Sequence, residues 1–273
     1  MLYNARNCNI KIGDTDMDYV SFGAGKKNLI MIIGLNDGIF PVKGTALPLA
    51  WAYRIFASDY TVYVFGRKNK MEEGYSTRDM AMDQAKVMRM LGIQQADVIG
   101  VSQGGMVAQY LAIDHPELVH KLILAVTLSK QNEIVNDAVG TWRQLALDGD
   151  FKNLLINSAE RAYTEQRLKK YRLLYPFLGL IKKPDSLERF LIQADACLTH
   201  NAHDELGKIS CPTLVIGGAI DQIAGAAASR ELAKTIHGSK LYIYKDYGHT
   251  VYEEAKDFNR RMLHFLSKEL PPQ

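Results

Sequence analysis

Gly100-Val101-Ser102-Gln103-Gly104 is the stretch on which the reading of this chain turns. It follows the apolar run Asp97-Val98-Ile99 and leads into residues 105–113, which repeat apolar side chains at helical spacing. A strand that turns sharply into a helix pushes the side chain at the turn out of the sheet, which exposes Ser102 Oγ as a nucleophile. Such a turn is crowded, so the positions two residues away on either side must be small. Gly100 and Gly104 meet that demand, and Gly105 adds room. The helix that starts here also points its first backbone N–H groups toward developing negative charge. A five-residue pattern carries weight only in context, and here the context is a strand before it and a helix after it.

Working outward, short apolar runs alternate with longer amphipathic ones. Residues 19–22, 29–33, 61–65, 97–100, 122–126, 213–216 and 241–244 read as strands, several of them apolar without alternation, as strands covered on both faces are. Residues 81–91, 105–113, 229–236 and 253–266 read as helices. This alternation predicts an α/β fold, a mainly parallel sheet with helices on both faces. Residues 131–207 break the rhythm. They have helical composition, no β pattern and a dense set of aromatics, including Trp142 and Tyr175. The expected organisation is therefore a core of residues 1–130 and 208–273, with residues 131–207 as a helical cap over the sheet's C-terminal edge.

A serine hydroxyl is a weak nucleophile at neutral pH and needs a base oriented by an acid. Asp221 follows the run Thr213-Leu214-Val215-Ile216 and the small residues Gly217-Gly218-Ala219, so it falls at a strand's C-terminal end, where ligands collect in open α/β sheets. His249 lies in Tyr247-Gly248-His249-Thr250, after the run at 241–244. The order is serine, aspartate, histidine.

With these motifs, the chain resembles the α/β-hydrolases of the Ser-Asp-His type over nearly its whole length. The phrase Ala108-Gln109-Tyr110-Leu111-Ala112, with His115-Pro116-Glu117-Leu118 after it, is also similar to that family. The resemblance implies Ser102 as nucleophile, His249 as base and Asp221 as acid. It also implies an oxyanion hole built from two backbone N–H groups, those of Gln103 and Leu35. The family often has histidine before the loop glycine, where this chain has Ile33-Gly34-Leu35-Asn36, and often has prolines soon after the acid, where this chain has Gln222-Ile223-Ala224. Asn36, Trp142 and Tyr175 are the expected substrate-pocket residues. The implied activity is hydrolysis of a carboxylic ester-type bond in a small, largely apolar substrate through an acyl-enzyme, with no metal or organic cofactor required. The same fold serves C–C bond hydrolases, thioesterases and cofactor-free haloperoxidases, and a ligand receptor on this scaffold is the reading from another class.

Composition bounds the rest. The 273 residues are 47% hydrophobic and 23% charged, ordinary for a globular chain. The formal charge of +3 is too balanced for a nucleic-acid binder, so a small-molecule substrate is expected. Three widely spaced cysteines, Cys8, Cys197 and Cys211, argue against a disulfide framework and for a reducing compartment. With neither a signal-like start nor a run long enough to span a bilayer, the expectation is a cytoplasmic protein without membrane insertion. His200 and His203, with Asp204, have the spacing of a metal pair but no third ligand, and read as a solvated surface. The basic stretch from Arg161 to Arg172 reads as one solvated helix face. No phosphate loop or dinucleotide fingerprint occurs.

Overall fold

The strands expected to be apolar on both faces form the centre of one sheet in the structure, a computed structural model that describes residues 2–268. The strands are β1 (Arg6–Ile12), β2 (Thr15–Gly23), β3 (Lys27–Ile32), β4 (Tyr60–Lys68), β5 (Ala96–Val101), β6 (Val119–Ala125), β7 (Thr213–Gly218) and β8 (Lys240–Tyr244). Their order is β1-β2-β4-β3-β5-β6-β7-β8. β1–β2 and β2–β4 pair antiparallel, and the rest are parallel. The α-helices among the described residues are α1 (Ala46–Ala52), α2 (Thr77–Met90), α3 (Gln103–Asp114), α4 (Glu133–Leu147), α5 (Phe151–Ala162), α6 (Glu165–Tyr171), α7 (Glu188–Thr199), α8 (Ala226–Thr235), α9 (Val251–Glu254) and α10 (Phe258–Ser267).

Side chains alternate across a strand, so a doubly covered sheet must be apolar at successive positions. In β6, Leu122 and Leu124 pack with Met88, Leu111 and Leu232 of α2, α3 and α8, while Ile123 and Ala125 pack with Ala50, Phe258 and Met262 of α1 and α10. Each such aliphatic side chain, fully buried, stabilises the fold by roughly 1.5–3 kcal/mol. A third apolar cluster joins α4, α5 and α7 to Leu35 and Met106 above the sheet edge. No helix among the described residues is long and apolar enough to cross a membrane.

Four local readings are corrected. β1 was not expected, because Arg6-Asn7-Cys8-Asn9-Ile10-Lys11-Ile12 is an exposed edge whose pairing comes from backbone hydrogen bonds with β2 rather than from an apolar pattern. α2 starts at Thr77 instead of 81, because Ser76 and Asp79 form a capping box: Asp79 N–H donates to Ser76 Oγ (3.1 Å) and Ser76 N–H to Asp79 Oδ2 (2.9 Å). Residues 253–266 are two helices, α9 and α10, because the chain turns at Ala255 before the stripe Phe258, Met262, Leu266 packs onto the sheet. The basic stretch is likewise split between α5 and α6, its ends tied by Arg161–Asp137 and by Arg172 to Glu160 and Glu165.

The helical segment between β6 and β7 leaves and rejoins the sheet at one place. Lys130 and Asn201 form an isolated antiparallel bridge, Ala202 N–H donates to Ser129 O (2.7 Å), and Gln131 N–H donates to His200 O (3.3 Å). His200 is not on a solvated surface. It is buried there, with Nδ1 2.8 Å from Thr77 Oγ1.

Candidate active site

Ser102 joins β5 to α3 with φ 55° and ψ −124°. A non-glycine residue with positive φ is strained by about 1–3 kcal/mol and persists only where its surroundings hold it. Ser102 N–H donates to Ala125 O at the end of β6 (2.9 Å). The glycines allow the crowding. A Cβ on Gly100 would lie 2.5 Å from Gly104 O and 2.7 Å from Ala108 Cβ, and one on Gly104 would overlap the Ile32 carbonyl.

The partners come from the ends of β7 and β8. Gly218 has no side chain to strike the carbonyls of Tyr247 and Gly248, so the two loops approach closely. This brings Asp221 to His249. His249 Nδ1 lies 2.9 Å from Asp221 Oδ2 and 3.1 Å from Oδ1, and His249 Nε2 lies 2.9 Å from Ser102 Oγ. With a carboxylate at Nδ1 the ring proton belongs there, which leaves Nε2 to accept the Ser102 O–H. Asp221 Oδ1 also accepts from the N–H groups of Ile223 (2.8 Å) and Ala224 (3.0 Å). Burial pushes the Asp221 carboxyl up. The His249 charge and hydrogen bond and the two backbone donors outweigh it, so the group is held below the usual carboxylate range.

Two backbone donors flank the serine. Leu35 is the first residue of a 3-10 turn and Gln103 the first of α3, positions whose N–H groups have no partner within the helix. Neither N–H has a hydrogen-bond acceptor among the described residues. A Cβ on Gly34 would fall 3.2 Å from Ser102 Cβ, which shows how near the Leu35 loop runs to the nucleophile.

Behind these donors lies a buried polar network that the sequence reading missed. Gln103 Nε2 donates to Gln193 O (2.7 Å) and Cys197 Sγ (3.2 Å), and its Oε1 accepts from Arg67 Nη2 (3.3 Å). Arg67 Nη2 also donates to Ile33 O (2.7 Å), and Arg67 N–H donates to Asp37 Oδ2 (3.0 Å). Arg189 of α7 pairs with the Asp37 carboxylate and its backbone carbonyl. Burial lowers the Arg67 guanidinium to about 10, so it stays charged at neutral pH. The network ties the Leu35 loop, the start of α3 and α7 into one unit. The available signal was Arg67, a charged residue just past the apolar run 60–65.

A cleft of about 430 Å³ opens beside Ser102 and His249. Asn36 and Trp142 line it, as expected, together with Leu154, Phe190 and Ile223. Trp142 also lines a small apolar void of about 20 Å³ that touches Ser102 and His249, and its indole N–H donates to Asn157 Oδ1 (2.9 Å). Tyr175 corrects the expectation. It lies outside the cleft, in the 3-10 stretch Arg172–Leu180 that buries no residue, and donates its hydroxyl to Glu160 Oε1 (2.8 Å). Leu154, Phe190, Ile223, Tyr53, Tyr252 and Glu253 line the cleft without having been expected there. Among the described residues no group of three or more His, Cys, Asp or Glu side chains is arranged to hold a metal ion. His200 bonds Thr77 and His203 bonds Ser129.

A family model described as alpha/beta hydrolase fold matches residues 46–256. The chain is 26% identical over 268 residues to a 2-hydroxy-6-oxononadienedioate/2-hydroxy-6-oxononatrienedioate hydrolase of Klebsiella pneumoniae, covering 90% of this chain and 89% of that protein. It is 28% identical over 224 residues to a 2-hydroxymuconate semialdehyde hydrolase of Pseudomonas putida, covering 79% and 77%. Its fold is similar to that of MGS-M2, an alpha/beta hydrolase enzyme from a deep-sea metagenome library, with a TM-score of 0.83 at 20% identity over 97% of this chain and 99% of the other.

Proposed function

The chain belongs to the alpha/beta hydrolase fold family, and from that membership we propose that it is a serine hydrolase acting through an acyl-enzyme on a carboxylic ester-type bond of a small, largely apolar substrate. The observation that carries this reading is the continuous hydrogen-bond chain Asp221–His249–Ser102. As Ser102 Oγ attacks the carbonyl carbon, its proton passes to His249 Nε2. Asp221 stabilises the imidazolium. The N–H groups of Leu35 and Gln103 hold the oxyanion, each worth ~3 kcal/mol in the transition state. His249 then protonates the leaving alcohol. In the second half it takes a proton from water, which attacks the acyl carbon, and returns that proton to Ser102 as the acid departs.

In this reading residues 131–207 act as a helical cap over a core of 1–130 and 208–273, because α4, α5 and α7 supply Trp142, Leu154 and Phe190 to the cleft. The cap excludes water and shapes the acyl pocket. The relatives' names favour a second reading, hydrolysis of a C–C bond in a carboxylated substrate. The cleft lining argues for the ester, because among the described residues it contains no lysine or arginine to meet a carboxylate.

The test is a fluorophosphonate probe with a panel of neutral p-nitrophenyl esters and 2-hydroxy-6-oxo-dienoates, on wild type and Ser102→Ala. We expect one label per chain at Ser102 and turnover of short neutral esters, both lost in the variant. Turnover of the dienoates alone would move the assignment to C–C cleavage. Ligand binding with neither label nor turnover would make the chain a receptor.

A further inference from the structure

The lining of the cleft is not apolar throughout. Tyr53, just after α1, and Tyr252 and Glu253 of α9 line it, and the same three side chains line a second cavity of about 380 Å³. The two spaces share these residues but differ in chemistry. Beside Ser102 the lining includes Trp142, Leu154, Phe190 and Ile223, whereas the second cavity adds Lys256 and Asn259.

The polar groups there are unspent. The phenol hydroxyls of Tyr53 and Tyr252 have no hydrogen-bond partner among the described residues, although the hydroxyls of Tyr163 and Tyr244 nearby both have one. Asn259 Nδ2 donates to Ala52 O (3.1 Å), and its Oδ1 is buried without a partner. Glu253 Oε2 accepts from Tyr163 (2.7 Å), which leaves Oε1 open. Burial, with the Glu253 charge adding to it, raises the Tyr53 phenol to about 12, and the same two causes raise Tyr252, so both remain donors at neutral pH. Asn259 Oδ1 is held out of water without a partner and is costly there, whereas the two tyrosines are only half-buried and Glu253 is exposed, so any occupant of the cavity must replace the water that meets them. The set mixes donors and acceptors, and Lys256 offsets Glu253. A hydrocarbon would leave all of them unmet, and a single charge would meet only one sign. A group bearing several hydroxyls, each a donor and an acceptor, meets both.

Position supports the same occupant. α9 begins two residues after His249, the base that must protonate the leaving alkoxide. Tyr252 and Glu253 line the cleft together with His249, so the alcohol half of an ester, which leaves beside that base, is placed near their polar groups.

Resting on the serine hydrolase reading, we propose that the second cavity is a subsite for a polyhydroxylated alcohol portion of the substrate, with Tyr53, Tyr252, Glu253 and Asn259 as its specificity-determining residues. The apolar preference then belongs to the acyl half alone.

The experiment compares kcat/KM for 2,3-dihydroxypropyl butyrate and pentyl butyrate in wild type, Tyr53→Phe and Tyr252→Phe. Each variant removes one hydroxyl that has no partner in the protein, so folding is spared. The expected result is a preference for the diol ester in wild type that falls about tenfold in each variant, near the value of one hydrogen bond. A preference ratio that is the same in all three proteins would overturn the proposal. Calorimetric binding of both esters to Ser102→Ala protein, with and without Tyr252→Phe, reads the subsite without turnover. Tyr252-dependent binding of the diol ester without any Ser102-dependent hydrolysis would sink the hydrolase reading and leave the subsite. Ser102-dependent hydrolysis with no diol preference in rate or binding would sink the subsite and leave the hydrolase.

Discussion

The two walls of the cleft were made under different constraints. On one side Ser102, Asp221 and His249 stand on the loops that end β5, β7 and β8. On the other, α4, α5 and α7 present Trp142, Leu154 and Phe190. In the first region the backbone leaves little choice. Gly104 is a glycine because any Cβ there enters the Ile32 carbonyl, and Gly218 because the loop before His249 crosses it. In the second region the same residue types serve packing and lining alike. Trp142 and Tyr175 are both aromatic and both lie between β6 and β7, yet one faces the cleft and the other bonds Glu160 outside it. The Asp221–His249–Ser102 geometry is held by steric exclusion at the strand ends, and the cleft's shape by apolar packing across from them.

The strongest way to break this contrast is at the strand ends. Ser102→Ala and His249→Ala should each lower turnover by ~10⁶-fold, and the double variant hardly more, because the residues act as a unit. Asp221→Asn should lose ~10⁴-fold through the wrong imidazole tautomer. Asp221→Asn combined with His249→Ala should lose hardly more than His249→Ala alone, and additive losses for that pair, measured by steady-state kinetics on variants with wild-type circular dichroism, would show that Asp221 is only a turn residue.

One substitution made in both regions gives a sharper contrast. Gly104→Ala should destabilise by about 3 kcal/mol or more and lower the melting temperature by roughly 6–12 °C. Gly140→Ala, on α4 where an added Cβ meets nothing within 4 Å, should instead stabilise by about 0.5–1 kcal/mol. Equal effects in thermal unfolding would remove the claimed difference in tolerance.

His200 sits at the joint between the regions. Burial pushes its imidazole down to about 3, against about 6.5 in an unfolded chain. A base with a depressed folded-state value binds fewer protons when folded. Its contribution is therefore fully present above about pH 6.5 and is lost as pH falls toward 3, at about 1.4 kcal/mol per pH unit. By pH 5 the loss is about 2 kcal/mol. Denaturant unfolding of wild type and His200→Gln between pH 7 and 4.5 should show the acid limb flattened by nearly one proton in the variant. Parallel curves would mean His200 is protonated in the folded state.

The smallest expected effects lie in the helices. Trp142→Ala opens the wall between the cleft and the void and should shift kcat/KM toward longer acyl chains by about tenfold. Tyr175→Phe should change stability by less than about 0.5 kcal/mol and leave the acyl-length profile alone. An acyl series run on both variants decides whether the inward and outward aromatics differ as described.

How much the sequence disclosed follows the same division. Ser102, Asp221 and His249 were legible because the glycines and strand ends around them admit few alternatives. The central strands were legible because burial on both faces erases alternation. β1 was not, since edge pairing to β2 uses backbone groups that leave no side-chain signature. Nor was the Asp37–Arg67–Arg189–Gln103 network, because each member alone reads as a solvated polar residue and only tertiary approach buries it. Tyr53 follows α1 and Tyr252 lies in α9, far apart in the chain, so their shared cavity appears only once both pack near the sheet.

The narrow junction at Ser129–Gln131 and His200–Ala202 has a consequence for descent and for engineering. Between these two short stretches a segment can be exchanged as a cassette only if it reproduces, besides the adjoining chain ends, the contacts of Arg189 with Asp37, of Gln193 O and Cys197 Sγ with Gln103, and of Ala162 O with Thr250. Those few contacts brace the Leu35 loop, the start of α3 and the loop of His249, and the rest of the segment is free to vary.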